Sequence, residues 1–503
     1  MKIMQVTVEV ARVEAASTEV LVLLHCDGEA LAKQETARLD QALGGALSTL
    51  VDSKEFEGKA NEVLLYHTQG TVPAKRLVLV GLGKKNEVTT ETIRQAMGSA
   101  VKRVRQTKVE SFSVALPTVR PEGMSSLDVA QAMVEGAILG SYQFTVYRSE
   151  PAAGRDVTEM RVLIPMKGQL RQVTEGIRRG VATAEATVFV RDLCNHPSNI
   201  LTPTRVADEA KAIAKAEGIA INILERKEME RLGMGALLGV ARGSQEPPKF
   251  IILEYNGAKK KDARPGVLVG KTITFDTGGI SLKPAENMEH MKADMTGGAE
   301  VLASIRAAAR LKLPLRLISI LPVAENMPGG RAMKPGDIVT TLSGKTVEVQ
   351  NTDAEGRLIL ADGLAYAMRY NPAVLIDIAT LTGACVVALG QFAIGMFGTD
   401  DTLKERVRKA GHKAGERVWE MPLWEEYFEQ LKSDVADMRN IGGRGGGMIT
   451  AALFLSKFVG DCPWVHLDIA STDWSERERA YVPKGPTGIG TRLLLQYLID
   501  RSL

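Results

Sequence analysis

Cysteine is scarce in this chain of 503 residues. The four that occur, Cys26, Cys194, Cys385 and Cys462, are far apart and form no metal-spaced pair. They argue against a disulfide-stapled scaffold and against a cysteine-ligated zinc domain, and fit buried apolar positions in a reducing cytosol. Charge of one sign is also lacking: 63 basic against 60 acidic residues leave +3, too little to imply a nucleic-acid partner. No stretch is long and uncharged enough to cross a bilayer. The opening residues 1–10 include Glu9 and no long apolar run, so neither a secretory signal nor a spanning helix is expected there. Internal repeats are absent, and low complexity is confined to the glycine tract from Gly442 to Gly447. What remains is an ordinary globular composition, 45% hydrophobic and 24% charged, long enough for two or three domains.

Strand and helix signals alternate through the first ~165 residues. Val20 to His25, Val63 to His67, Arg76 to Gly81 and Ser111 to Leu116 read as strands, and Thr90 to Val104 reads as a helix with Thr89 or Thr90 as N-cap. Gln169 to Asp192 is long, polar and helical in pattern. From Ile219 onward the alternation resumes, with buried-strand candidates at Phe250–Glu254, Gly266–Gly270, Leu315–Leu321, Ala373–Ala379 and Trp464–Ile469. Near-continuous apolar strands between helices argue a parallel-rich sheet covered on both faces. The expected fold class is therefore α/β. A small N-terminal α/β domain (1–165) is joined by a helix (166–192) to a larger α/β domain (193–503) with a mixed, parallel-rich sheet. Ile338 to Val349 reads as a hairpin turning at Ser343-Gly344.

The chemistry is concentrated between Val267 and Leu360. Lys271, Asp276, Lys283, Asp294, Asp353, Glu355 and Arg357 stand there in glycine-rich, otherwise apolar text, with no cysteine. Buried charges are tolerated only when paired, hydrogen-bonded or bound to metal. Asp276 ends a strand, where ligands of α/β sheets gather. Lys271 and Asp276 are five apart, so the backbone must bend to bring both to one site. Asp294 lies just ahead of a helix expected from Thr296 to Ala309. Asp353, Glu355 and Arg357, spaced two apart, line up on one side if their segment is extended. Such oxygen ligands suit Mg, Mn or Zn, and three or four acids exceed the needs of one ion. A two-metal cluster that activates a bridging water is the implied device, and through it a hydrolase. A lysine that ligates a cation must be neutral; one outside the ligand set stays charged and can stabilise an oxyanion.

Other features carry less. Gly266 to Thr272 resembles a phosphate-binding loop but is one residue short, and its middle reads as strand. Gly81-Leu-Gly83 reads as a strand-to-loop turn. His290 is expected to be solvated, His466 to be a satisfied core residue, and the Gly442–Gly447 tract to be a flexible loop beside the site. Met288, Met291 and Met295 suit either a pocket wall or core packing.

Asn351-Thr-Asp-Ala-Glu-Gly-Arg-Leu358 resembles the signature octapeptide of the cytosol (leucyl) aminopeptidases of bacterial type. The resemblance extends over about residues 190–490, through Val269 to Gly279, Met291 to Met295, Glu325 to Pro328, Ala379 to Ala384 and Ile449 to Ala452; the N-terminal portion matches in position and α/β character alone. It implies a metallopeptidase catalytic domain with two divalent ions, Mn or Zn, and a metal-bridging water. Lys271 and Asp294 would ligate one ion, Asp353 the other, and Asp276 and Glu355 both. Lys283 would polarise the scissile carbonyl, and Arg357 would hold a bicarbonate base. Met291, Thr380, Leu381, Gly383 and Ala384 would line the substrate pocket. The implied substrates are peptides with a free N-terminus, leucine and other apolar residues favoured, and the implied assembly is a cytoplasmic homohexamer with no membrane partner. A nucleic-acid-binding regulator is the alternative, coexisting with or replacing peptidase activity; a metal-dependent phosphohydrolase is a further rival. Thr272 and Gly298 depart from the family's frequent glycine and alanine.

Overall fold

The structure, a computed structural model, describes residues 3–29, 35–117, 123–150, 156–260 and 262–502. It has two compact units: Met1–Val188 with Glu476–Lys484, and Phe189–Ser475 with Gly485–Leu503. Both are α/β, as expected. The helix anticipated between them runs from Leu170 to Asn195, so its last residues belong to the second unit.

In the first unit five parallel strands lie in the order Gln5–Val10, Glu159–Ile164, Ser111–Ala115, Leu21–Asp27 and Arg76–Lys84, with Val63–His67 antiparallel at the edge. Gly81 and Gly83 fall inside the strand Arg76–Lys84 rather than in a turn after it. A Cβ at Gly81 would stand 1.9 Å from the Lys59 carbonyl, so glycine is there for a close backbone crossing. The helix Thr90–Gln106 starts with a capping box between Thr89 and Thr92. Against it packs Ser126–Gly140, where Gly136 and Gly140 allow close contact and Arg94 pairs with Glu135 at 2.7 Å in the core. Tyr481 reaches this unit from late in the chain and donates to Glu91.

The second unit is built on a nine-stranded mixed sheet. Its centre is parallel: Trp464–Asp468, Val374–Ala379, Gly266–Gly270 and Arg316–Asn326. Lys249–Asn256 and Ala220–Leu224 continue it antiparallel. Alternate residues of the central strands point to opposite faces. Val267, Val269, Ile318, Ile320 and Leu375 pack with the helices Gly356–Ala367 and Gly447–Ser456 in one core. Ser319, on the other face, donates to the Val301 carbonyl of the helix Thr296–Arg310. Both faces are thus covered, which accounts for the unbroken apolar text. Antiparallel Ile338–Thr340 and Thr346–Glu348 form the expected hairpin, with Gly344 at φ +85°.

The helix Thr296–Arg310 begins almost in backbone contact with this sheet. A Cβ at Gly297 would meet the Ile378 carbonyl at 2.1 Å. At Gly298 it would stand 2.0 Å from Thr272 Oγ1 and 2.8 Å from Thr272 Cβ. Thr272 and Gly298, the two departures from the family pattern, are therefore a complementary pair: the threonine fills the space an alanine methyl would take. Gly298→Ala alone is expected to destabilise the protein by about 1–3 kcal/mol through overpacking. Adding Thr272→Gly should recover much of that loss. Denaturant unfolding of the two single variants and the double variant checks this; additivity within about 0.5 kcal/mol would contradict the pairing.

Candidate metal centre

The central strands deliver their chemistry at their carboxyl ends, where an α/β sheet presents its ligand site. Lys271 follows Gly266–Gly270, Thr380 follows Val374–Ala379, and Asp276, Asn326 and Asp468 are the last residues of their strands. The bend required between Lys271 and Asp276 is present. At Lys271 the chain leaves one ladder, its N–H bonding to the Ile378 carbonyl, and Thr272–Asp276 then pairs with Arg316–Asn326 through an irregular register between Ile273 and Asp276.

Lys271 is buried, and Nζ lies 2.8 Å from Asp294 Oδ1, 3.0 Å from Glu355 Oε1 and 2.7 Å from the Thr380 carbonyl. Its stem runs against Gly356, where a Cβ would approach Cε to 2.5 Å, so a side chain at 356 would occupy the lysine's channel. Lys283 Nζ lies 2.8 Å from Asp276 Oδ2 and 2.5 Å from Asp353 Oδ1. One oxygen from each of Asp276, Asp353 and Glu355 falls within 4.8 Å of the others. Thr380 Oγ1 donates to Asp294 Oδ1 at 2.7 Å. Six of the seven charged residues singled out by sequence thus meet in one cluster.

Residues 351–355 are not extended, contrary to expectation. Asn351 Oδ1 accepts from the Asp353 N–H at 2.8 Å, turning the chain, and Glu355 already has helical angles ahead of the helix Gly356–Ala367. The turn, rather than a strand's alternation, brings Asp353 and Glu355 together. Arg357 lies in the helix's first turn. Its Nη1 donates to the Asn440 carbonyl at 2.8 Å and its buried Nε has no partner, so it is not ion-paired into the acid cluster. Met291, Leu381 and Ala384 are half-buried and Gly383 is exposed at the start of the helix Gly383–Leu389.

The charges are unbalanced. Burial raises the pKa of Asp294, Asp353 and Glu355, against the pull of the lysines, and Asp276 pushes all three further up. Burial opposes the Lys271 and Lys283 ammonium charges, but the surrounding acids outweigh it and hold both above the ordinary lysine range. Burial pushes Arg357 down to about 10, against the pull of Glu355 and Asp468. Asp294 Oδ2 and Glu355 Oε2 are buried without a hydrogen-bond donor. Such acceptors fit a hard divalent cation.

Two residues without an assigned role also belong here. Asn326 Nδ2 donates to Asp276 Oδ1 at 2.7 Å and to the Thr352 carbonyl at 3.0 Å. Asp468 accepts from Leu381 N–H at 3.2 Å and Thr382 Oγ1 at 2.7 Å, fixing the loop that carries Thr380. Asn326 lies inside the Glu325–Pro328 stretch that resembles the family, and Asp468 near a strand's end, but neither is close in sequence to its partner.

Other expectations divide. Val267 to Val269 are buried strand, which removes the phosphate-loop reading. His466 is buried with Nδ1 2.6 Å from Asp377 Oδ1, although Nε2 lacks a partner. His290 is not simply solvated: it stacks on Trp474 at 4.1 Å and lines a cavity of about 490 Å³ with Phe275 and Lys292. Met295 is core, while Met288 and Met291 are half-buried. All four cysteines are buried and free.

Comparison with known proteins agrees with this site. The model of the cytosol aminopeptidase family's catalytic domain matches residues 188–495, and that of its N-terminal domain matches 20–151. The N-terminal likeness is therefore more specific than position and α/β character. A probable cytosol aminopeptidase of Geotalea uraniireducens is 50% identical over 461 residues, 92% of each chain. One from Geobacter sulfurreducens is 48% identical over 495 residues, covering 98% of this chain and 99% of its own. Among solved structures, a mutant of tomato leucine aminopeptidase is 33% identical with a TM-score of 0.87, over 99% of this chain and 96% of its own. The bottromycin maturation enzyme BotP in complex with Mn is 36% identical with a TM-score of 0.85, over 97% of this chain and 100% of its own. With the acid–lysine cluster at its strand ends and both domains matched, the chain belongs to the cytosol aminopeptidase family and is a metal-dependent hydrolase of peptides.

Proposed function

We propose that the protein is a two-metal aminopeptidase that removes the N-terminal residue of peptides, leucine and other apolar residues favoured. The observation that carries this reading is the convergence of Asp276, Asp294, Asp353 and Glu355 on two lysines, with two buried carboxylate oxygens left without donors. Lys271 and Asp294 would hold one divalent ion, Asp353 the other, and Asp276 and Glu355 both. The ions, Mn or Zn, would supply Lewis acidity to the scissile carbonyl and ionise water between them at neutral pH. The Mn complex of BotP supports manganese as one of the two.

The chain's own groups divide the remaining work. Lys271 can ligate only as a neutral amine, so it gives up the proton that otherwise holds Asp294 and Glu355 together. Lys283, partly open to solvent, stays an ammonium and donates to the developing oxyanion. Arg357 is a buried guanidinium with an unpartnered Nε, which suits a small planar anion. A bicarbonate held there would act as general base. Met291, Thr380, Leu381, Gly383 and Ala384 would line an apolar pocket for the departing residue. The homohexamer that the family resemblance implies would cover some of the exposed apolar side chains, Val387, Trp419 and Trp424 among the candidates. A cytoplasmic location fits the family's name and the four free cysteines. No described helix is long and apolar enough to cross a membrane. No finding favours the nucleic-acid alternative.

Purified protein should cleave leucyl-p-nitroanilide, lose activity to a chelator and regain it with Mn or Zn. Metal-replete protein inert on a panel of N-terminally free peptides would refute the reading. Lys283→Ala should lower kcat by about 10²–10³ while leaving metal content intact, because its role is electrostatic. Loss of both metals in parallel, seen by elemental analysis, would contradict that role. Asp294→Ala should empty one metal site at metal concentrations that still fill the other; equal loss from both would argue against separate ligand sets.

A further inference from the structure

The two oxygens of Asp276 have unlike surroundings. Oδ1 accepts from the Gly278 N–H at 2.9 Å and from Asn326 Nδ2 at 2.7 Å. Oδ2 has Lys283 Nζ at 2.8 Å. The same Asn326 amide donates to the Thr352 carbonyl at 3.0 Å, one residue before Asp353. With two acceptors around it, Nδ2 has both hydrogens engaged, and this fixes which end of the amide is nitrogen. The residue is only 3% exposed. Its own carbonyl accepts from Thr277 N–H at 3.0 Å and Thr277 Oγ1 at 2.8 Å. Its Oδ1 lies 2.8 Å from where a Cβ on Gly279 would be, so the glycine loop closes directly over the amide. Asn326 is held from both ends, and holds the Asp276 strand and the Asp353 turn in fixed relation.

Glu355 has no such partner. Its Oε1 is 3.0 Å from Lys271 Nζ, and its Oε2 is buried with no donor. The two acids that share the proposed ions are therefore prepared differently.

We infer that Asn326 is a positioning residue of the metal centre: together with the Gly278 N–H it fills Asp276 Oδ1, so that Oδ2, which faces Lys283, is the one oxygen through which Asp276 would bind cations. Glu355 keeps both oxygens for that purpose. A carboxylate that joins two cations through one atom draws them closer than one that spans them with both, so the amide sets the separation of the pair. Without it, only the Gly278 N–H would hold Oδ1, and Asp276 could turn more readily to offer both oxygens to one ion. Partners of this kind, hydrogen-bonded to a ligand, commonly change metal affinity by about 10–100-fold when removed. The inference rests on the two-metal reading.

The test is Mn titration of the full-length protein, with affinity read by calorimetry and ion–ion coupling by electron paramagnetic resonance. Two variants are compared, Asn326→Ala and the nearly isosteric Asn326→Leu, neither able to donate. Wild-type protein is expected to take up two ions with a spin-coupled spectrum. Each variant that is folded by circular dichroism should bind Mn about 10–100-fold more weakly, with an altered coupling pattern. A folded variant that binds Mn within twofold of wild type and keeps its spectrum overturns the assignment. So does failure of both variants to fold at saturating Mn, which would make the amide a folding determinant. Wild-type protein that takes up no Mn would instead bring down the two-metal reading, and this assignment with it.

Discussion

Asp276, Asp294, Asp353 and Glu355 share their site with two ammonium groups, Lys271 and Lys283. Burial works against every one of these charges. The lysines offset part of the repulsion, and the carboxylates left with unpartnered oxygens call for further positive charge. Much local structure follows from holding this cluster in place. Glycine at 356 makes room for the Lys271 stem, and glycines at 297 and 298 let a helix start beside the strand that carries that lysine. Gly278, at φ +85°, turns the chain where a Cβ would strike Asp353 Oδ1 at 2.8 Å. These positions are filled by the space the cluster leaves, not by local backbone preference alone.

The sheet converts distances of tens of residues in sequence into a few ångströms. Lys271, Asp276, Asn326, Thr380 and Asp468 all stand at or just beyond the carboxyl ends of adjacent strands. The turn at residues 351–355 enters from outside the sheet and adds Asp353 and Glu355, and Asp294 comes from the turn ahead of the helix Thr296–Arg310. Asp468 ties the Thr380 loop to its neighbouring strand, and Thr380 in turn contacts both Lys271 and Asp294. The proposed metal ligands and pocket wall are thereby one connected hydrogen-bonded network.

The strand ends and acids were legible because they combine two signals that rarely coincide, apolar runs and unpaired charge. The alternation of strands and helices gave the α/β class in both units, and the capping threonine placed the start of the helix Thr90–Gln106. What was hidden depended on partners distant in sequence. Asn326 is an unremarkable polar residue until Asp276, fifty positions earlier, lies against it. Spacing by two suggested an extended segment for Asp353 and Glu355, but the short side chain of Asn351 captured the backbone first and made a turn. His290 looked solvated because its own neighbours are polar; its stacking partner, Trp474, is far along the chain. Thr272 and Gly298 looked like two unrelated departures and are one packing compensation.

On the proposed reading the two cation sites are chemically unequal. The site with Asp353 would draw on carboxylate oxygens alone. The site with Lys271 and Asp294 requires an ammonium to lose its proton, in surroundings where three acids favour keeping it. Cation binding there would compete with protons. The oxygen-rich donor set admits Mn and Zn alike, since such sites select by geometry and availability more than by intrinsic affinity. Geometry is what Asn326, the glycine loop and the Asn351 turn hold constant.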